Sequence, residues 1–297
     1  FLPMRFGPPA PLQSSLLLTG AGPSNGASFV GALDGYTTGT LGAFSVARRL
    51  VSTSVPALIR VRRASDNAEL DVVALSNGAL DTATITSFCG ASDGFVSVIY
   101  NQTGAASNLT AAAANQGWIF KSGAIVVKNG IVTIEKPGGI RGYVCSFTAQ
   151  TPSAVSYAGV CAPNGAGDYH GQIGDPSASF APNGGILLYT SSTTAMQPYV
   201  AFGLRGNAVA TTSGTLISAG CVIGASNTTV YKNGTGTTPA AYSPTFNFAG
   251  FGFWTAGTTI SGSATGGACW TEGILWTGER GSSVAAITSN QATYFGT

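Results

Sequence analysis

Residues 82–110, TATITSFCGASDGFVSVIYNQTGAASNLT, decide how this chain is read. Asp81 stands just before them, where an aspartate can accept from the unpaired N–H groups of a helix's first turn. A short helix through Phe88 is expected, then a small loop around Cys89. Phe95 to Tyr100 follows as a buried strand, closed by a polar Asn-Gln-Thr-Gly corner at 101–104. Just upstream, Ile59 and Val61 alternate with Arg60 and Arg62, the pattern of a half-exposed strand. Earlier still, apolar residues at 41, 44, 47 and 51 with Arg48 and Arg49 opposite predict a short amphipathic helix.

Downstream, strand and turn signals dominate. AIVVKNGIVTIE (124–135) is a hairpin pattern around Asn129-Gly130, a dipeptide that accepts the positive φ of a tight turn. TTVYKNGTG (228–236) repeats it around Asn233-Gly234. GGILLYTS, QPYVAFGL, TLISAGCVIG and FNFAGFGFW add strands, and ACWTEGILW (268–276) is the last. Ser283 to Tyr294 reads as a closing helix, capped by Ser282 or Ser283, with Val284, Ile287 and Tyr294 on its apolar side. Many short strands without a long internal period predict an all-β fold, one jelly-roll sandwich of two antiparallel sheets with a few short helices, over residues 41–297.

Composition narrows the function. Charged residues are only 8% of the 297, against about a quarter in typical domains. A surface of Ser, Thr, Asn, Gln and Gly suits extracellular or assembly-packed proteins. The net charge of +2 gives no reason to expect nucleic acid. No apolar run reaches the ~18 residues of a membrane span, so no membrane insertion is expected. The cluster Arg48, Arg49, Arg60, Arg62 and Arg63 reads as a solvated face or protein contact. Residues 1–40 read as an extended arm: FLPMRFGPPAPLQ has four prolines in thirteen residues, which forbids helix. Its Phe1, Leu2, Met4, Phe6 and Leu12 are too apolar for a solvated tail and predict an arm laid against its own domain or anchored on a neighbouring subunit. Five cysteines without C-x-x-C spacing and a lone His170 argue against a Cys/His metal site.

The run GAFSVARRL…PALIRVRRASDNAELDV…LDTATITSFCGASDGFVSVIYNQTGAASNLT resembles the start of the arabinofuranosidase B catalytic domain. The carrying residues are Arg48-Arg49, Arg62-Arg63-Ala64-Ser65-Asp66, Tyr100-Asn101-Gln102-Thr103-Gly104 and Asn108-Leu109-Thr110. The resemblance implies a concanavalin A-like, laminin-G-like jelly roll. The ending, CWTEGILWTGERGSSVAAITSNQATYFG, is similar to the closing strand and helix of laminin-G-like virion proteins of tailed phages.

Against that pattern the chain departs at the residues that carry chemistry. The resemblance implies a cysteine pair around the Cys89 loop, yet Gly94 holds the second position. It implies a nucleophilic glutamate after the middle strands, yet QPYVAFGLRGNAV has no carboxylate. It implies an acid/base aspartate in a Gly-Gly-Asp segment, yet FGFWTAGTTISGSATGG has none. Glycoside hydrolysis uses two carboxyl groups about 5–10 Å apart. The candidate that remains is Glu272, on a strand face with Trp270, Ile274 and Trp276, to be paired with Asp168 or Asp175. Trp254, Trp270 and Trp276 are candidates for stacking on a sugar. Asp168 and Asp175 are candidate Ca²⁺ ligands, with no other cofactor expected. These departures, the low charge and the arm lead to the expectation of a non-catalytic virion component at a phage surface. It would be anchored to other virion proteins by its arm, form a homo-oligomer, and bind host polysaccharide. The alternatives are a secreted arabinofuranosidase-type hydrolase and a free lectin-like module.

Overall fold

A computed structural model describes residues 29–53, 55, 57–103, 107–137, 142–174, 185–192, 194–200, 203–254 and 267–297. The proposed anchoring residues Phe1, Leu2, Met4, Phe6 and Leu12 lie outside them. In chain order the principal elements are β1 (Thr40–Ser45), β2 (Ile59–Arg63), β3 (Glu69–Val72), α1 (Thr82–Cys89), β4 (Gly94–Ile99), β5 (Leu109–Thr110) and β6 (Trp118–Lys121). They continue with β7 (Tyr143–Gln150), β8 (Val155–Ala162), β9 (Tyr169–Gly174), β10 (Gly185–Ser192) and β11 (Ala195–Val200). The last are β12 (Ile217–Ile223), β13 (Asn227–Lys232), β14 (Phe248–Phe253), β15 (Cys269–Thr277) and α2 (Gly281–Phe295).

The fold is the expected all-β sandwich of two antiparallel layers. One layer runs β13-β12-β8-β15-β1. The other runs β3-β2-β4-β5-β7-β14-β9-β10-β11. Strand β6 and the pair Ile134–Glu135 turn the corner between them, bridging β4 to β15. Aromatic rings fill the space between the layers. Phe251 lies 5.9 Å from Phe44 and 5.7 Å from Tyr157, and Trp270 stacks flat on Phe253 at 4.0 Å.

The layer holding β8 and β15 is covered on both sides, so VSYAGVCA is apolar or small throughout instead of alternating. Its far side meets α2, whose Val284, Ile287, Thr288, Gln291 and Phe295 form the buried stripe of an amphipathic helix. Gly296 closes α2 in the left-handed conformation, its N–H on the Ala292 carbonyl. The expected serine cap is corrected. Arg280 holds the cap position without a side-chain bond, and both serines fall inside the first turn.

In place of the helix expected over 41–51 the chain runs as strand β1 to Ser45 and then as a non-helical segment. Ala43 enters the cluster under α2, whereas Phe44 enters the cluster between the layers. A helix with one apolar stripe would serve only one of these, and an extended chain serves both. The chain packs onto the domain from Gly31, upstream of the expected start at Leu41. Leu33 is buried, and Tyr36 accepts from the indole N–H of Trp276 at 2.8 Å. Other readings hold. Asp81 accepts from Thr84 N at 3.1 Å at the head of α1. Both Asn-Gly turns adopt positive φ, at Asn129 (52°) with Gly130 (77°) and at Asn233 (51°) with Gly234 (87°).

Candidate functional site

Glu272, the candidate catalytic acid, is fully buried and takes a paired bond from Arg48, with Nε to Oε2 and Nη2 to Oε1 both at 2.9 Å. Gln291 of α2 donates to Oε1 at 3.0 Å. The guanidinium lies under the rings of Tyr294 (4.3 Å) and Phe295 (4.9 Å) and donates to Asn290. Burial opposes its charge, but Glu272 more than compensates and holds Arg48 above the ordinary guanidinium range. This network ties the segment after the first strand, the last strand and the last helix together. Glu272 faces no cleft and cannot meet a substrate.

The signature corner is likewise a fastening. Asn101 Oδ1 accepts from the backbone of Ala43 at 3.0 Å, and Asn108 Oδ1 accepts from Asn101 N at 3.0 Å. Gln102 spends its whole amide on the segment after β1: Leu50 N donates to Oε1 at 2.6 Å, and Nε2 donates to the Arg48 carbonyl at 3.1 Å. Arg63 grips Asp66 and the Phe88 carbonyl, and Arg60 pairs with Asp71. Beside them a depression of about 500 Å³ is lined by Arg63, Ser65, Asp66, Cys89, Ala91 and Ser92. Its charged groups are already paired with one another.

The three tryptophans expected to stack on sugar are all buried, which corrects that reading. Trp270 lies between the layers, and Trp276 packs under α2. Trp254 sits at φ 56°, a rare conformation for a bulky residue, with its ring against Gly117. All five cysteines are buried and unpaired, so they serve as small apolar groups.

Buried side-chain atoms without a hydrogen-bond partner are scattered over the fold, Arg49 Nε, Trp118 Nε1 and Trp270 Nε1 among them, and three of them lie on β9. His170 is fully buried within this strand. Burial, with the Lys136 charge adding to it, pushes its imidazole down to about 3, so it is neutral. Its Nε2 lies 3.3 Å from Thr190 Oγ1, and its Nδ1 has no hydrogen-bond partner. Gln172 is fully buried, and neither end of its amide has a partner. Nearby, Asp168 Oδ2 accepts from Asn164 N (2.7 Å) and Gly165 N (3.2 Å). Burial lowers the Lys136 ammonium pKa, with the Asp168 charge working against that shift. Asp175 lies outside the described residues, among which no cluster of three His, Cys, Asp or Glu could hold a metal. Gln172 and Thr190 were missed from sequence. The alternation His170-Gly171-Gln172-Ile173 was the available signal, a strand with one polar face.

Comparison with known proteins places these observations. Residues 34–130 match the family described as alpha-L-arabinofuranosidase B, catalytic. A probable alpha-L-arabinofuranosidase B of Aspergillus flavus is 37% identical over 86 residues, 28% of this chain and 17% of that protein. The alpha-L-arabinofuranosidase B of Aspergillus oryzae is 36% identical over the same length and shares. The chain thus spans about a sixth of the curated relatives that it matches. Among solved structures, a mutant GH54 α-L-arabinofuranosidase soaked with 4-nitrophenyl α-L-arabinofuranoside superposes with a TM-score of 0.69 at 20% identity. That likeness covers 88% of this chain and 65% of the other, and it establishes the fold. An arabinofuranosidase complexed with arabinofuranosyl-α-1,2-xylobiose gives 0.67 at 19%, with the same coverage. These likenesses correct the expectation of a bacteriophage virion structural protein. The N-terminal block matches the arabinofuranosidase B family, and the sandwich as a whole shares its fold with solved arabinofuranosidases.

Proposed function

We propose that this domain acts outside the cell on arabinofuranosyl-bearing glycans, as an arabinofuranosidase-type glycoside hydrolase. The observation that carries this reading is the match of residues 34–130 to the arabinofuranosidase B catalytic family, set in a sandwich of the same kind. The block supplies one flank of the fold, and the relatives named above supply the substrate class.

One observation favours a second reading, recognition of the same sugar without cleavage. Hydrolysis needs two facing carboxyl groups about 5–10 Å apart. Glu272 is sealed under α2. In the N-terminal block, Asp34, Asp71, Asp81 and Asp93 are each held by local hydrogen bonds or ion pairs. Glu135 is paired with Lys121.

Incubation with 4-nitrophenyl α-L-arabinofuranoside, followed by release of nitrophenol, tests the first reading. Calorimetric titration with methyl α-L-arabinofuranoside tests the second. Turnover above the uncatalysed rate is the expected result for the hydrolase. Binding without turnover selects recognition alone, and the absence of both overturns the assignment.

A further inference from the structure

Six large apolar side chains stand out from the surface among the described residues, and three of them gather round one turn. Val30 is 75% exposed, Val73 46% and Leu75 45%. Beyond β3 the chain passes through Val73, Ala74 and Leu75 into this turn, where Leu75 N donates to the Ala79 carbonyl and Gly78 N to the Leu75 carbonyl. Ala74 packs on the core between the layers, so alternation sends Val73 and Leu75 outward. Phe29 reaches the same turn from upstream. Its ring lies where a Cβ on Gly78 would stand, and the Arg49 guanidinium is 4.2 Å from its centre. The chain thus arrives at the patch already fastened, with Val30 exposed beside the fastening. The other three, Val127, Leu204 and Tyr294, lie on separate elements.

Adjoining apolar side chains on a surface mark a contact, whereas single ones need no explanation. Residues 1–28, which lie outside the described residues, carry one charge, Arg5, and the run Leu16-Leu17-Leu18. That run ends eleven residues before Phe29, and GAGPSNG (20–26) between them is a composition that reverses a chain. We infer that Leu16-Leu17-Leu18 folds back over the turn and covers Val30, Val73 and Leu75, as a strap supplied by the chain's own N-terminal arm. The tether favours this occupant over a second copy. A flexible linker of about ten residues spans roughly 16–19 Å and holds the leucines at millimolar effective concentration, far above that of other copies in dilute solution. The strap extends the contact that Phe29 already makes, and it stands or falls independently of the proposed function.

Disulfide trapping in the full chain tests the strap, since all five native thiols are buried. Leu17→Cys is combined with Leu75→Cys, and in a control with Leu204→Cys, and each protein is oxidised at low concentration. The expected product is a bond between positions 17 and 75 that migrates as a monomer on a non-reducing gel, at least fivefold more abundant than the bond to position 204. A bond found only in dimers assigns the patch to a neighbouring copy's arm and overturns the strap. Trapping at 75 no better than at 204 overturns it too. Hydrogen exchange in the unsubstituted protein gives a second readout. The amides of Leu16, Leu17 and Leu18 should exchange at least tenfold more slowly than in a free peptide of the same sequence, and unprotected amides would sink the inference. Val73→Asp together with Leu75→Asp should abolish that protection; protection that survives both places the leucines elsewhere and ends the proposal.

Discussion

Two regions of this molecule treat their polar side chains in opposite ways. In the N-terminal block, Asn101, Gln102, Arg63 and Asp81 are bonded to backbone or to a partner charge. On β9, Gln172 and His170 are more deeply buried and hold three atoms with no partner within two residues of each other, against the single atoms Arg49 Nε and Trp118 Nε1 in the block. The block is the part that matches arabinofuranosidase B, and its signature residues fasten strands together. A shared motif here reports a shared way of building the sandwich. Chemistry must be sought where the fold leaves polar groups unused.

That contrast can be broken most forcefully at Arg48. Arg48→Ala would leave the Glu272 carboxylate buried without its cation, and we expect a loss of about 3–5 kcal/mol in urea unfolding. A loss below about 1 kcal/mol would mean that the network is not the fastening described. Next in size, Gln102→Ala strands the Leu50 N–H and the Arg48 carbonyl, and should cost about 2–3 kcal/mol by the same measurement. Little change there would erase the difference between the two regions.

A third test sharpens the comparison through pH. The His170 imidazole is held at about 3 in the fold against about 6.5 when unfolded, so the unfolded chain binds the extra proton. The stability it confers is present above about pH 6.5 and is lost as pH falls toward 3. Between pH 7 and 5 the loss is about 2 kcal/mol. His170→Gln should flatten that part of the stability profile, and an unchanged slope would place the titration elsewhere.

A fourth prediction adds stability instead of removing it. A Cβ built on Gly94 would sit 2.5 Å from Cys89 Sγ, so the two positions are close enough to be bridged once the thiol turns aside. Gly94→Cys should form a disulfide under oxidising conditions and raise stability by roughly 2 kcal/mol, reversed by reductant. This is the cysteine pair that the family resemblance implies and that this chain lacks.

Local signals were legible wherever the reason for a conformation lies within a few residues. Asp81 before Thr82 predicts a cap because the acceptor and its N–H donor are three residues apart. Asn-Gly predicts a turn because its backbone accepts the positive φ values required at little cost. The same reasoning failed at 41–51, where helical spacing was real but two separate cores competed for Ala43 and Phe44. It failed at Trp254, Trp270 and Trp276, since an aromatic on a strand reads alike whether its ring meets a sugar or another ring.

The chain's own order of residues was enough to establish a β-rich sandwich, its hairpins, its capped helix and the resemblance of its N-terminal block to an arabinofuranosidase B domain. Those follow from backbone preference and from patterns repeated along neighbouring positions. Only the folded arrangement decided that Glu272 answers Arg48, 224 residues away, and that Gln172 answers nothing in the protein. Whether a polar group is satisfied depends on what the opposite strand brings to it, and no stretch of sequence carries that information alone.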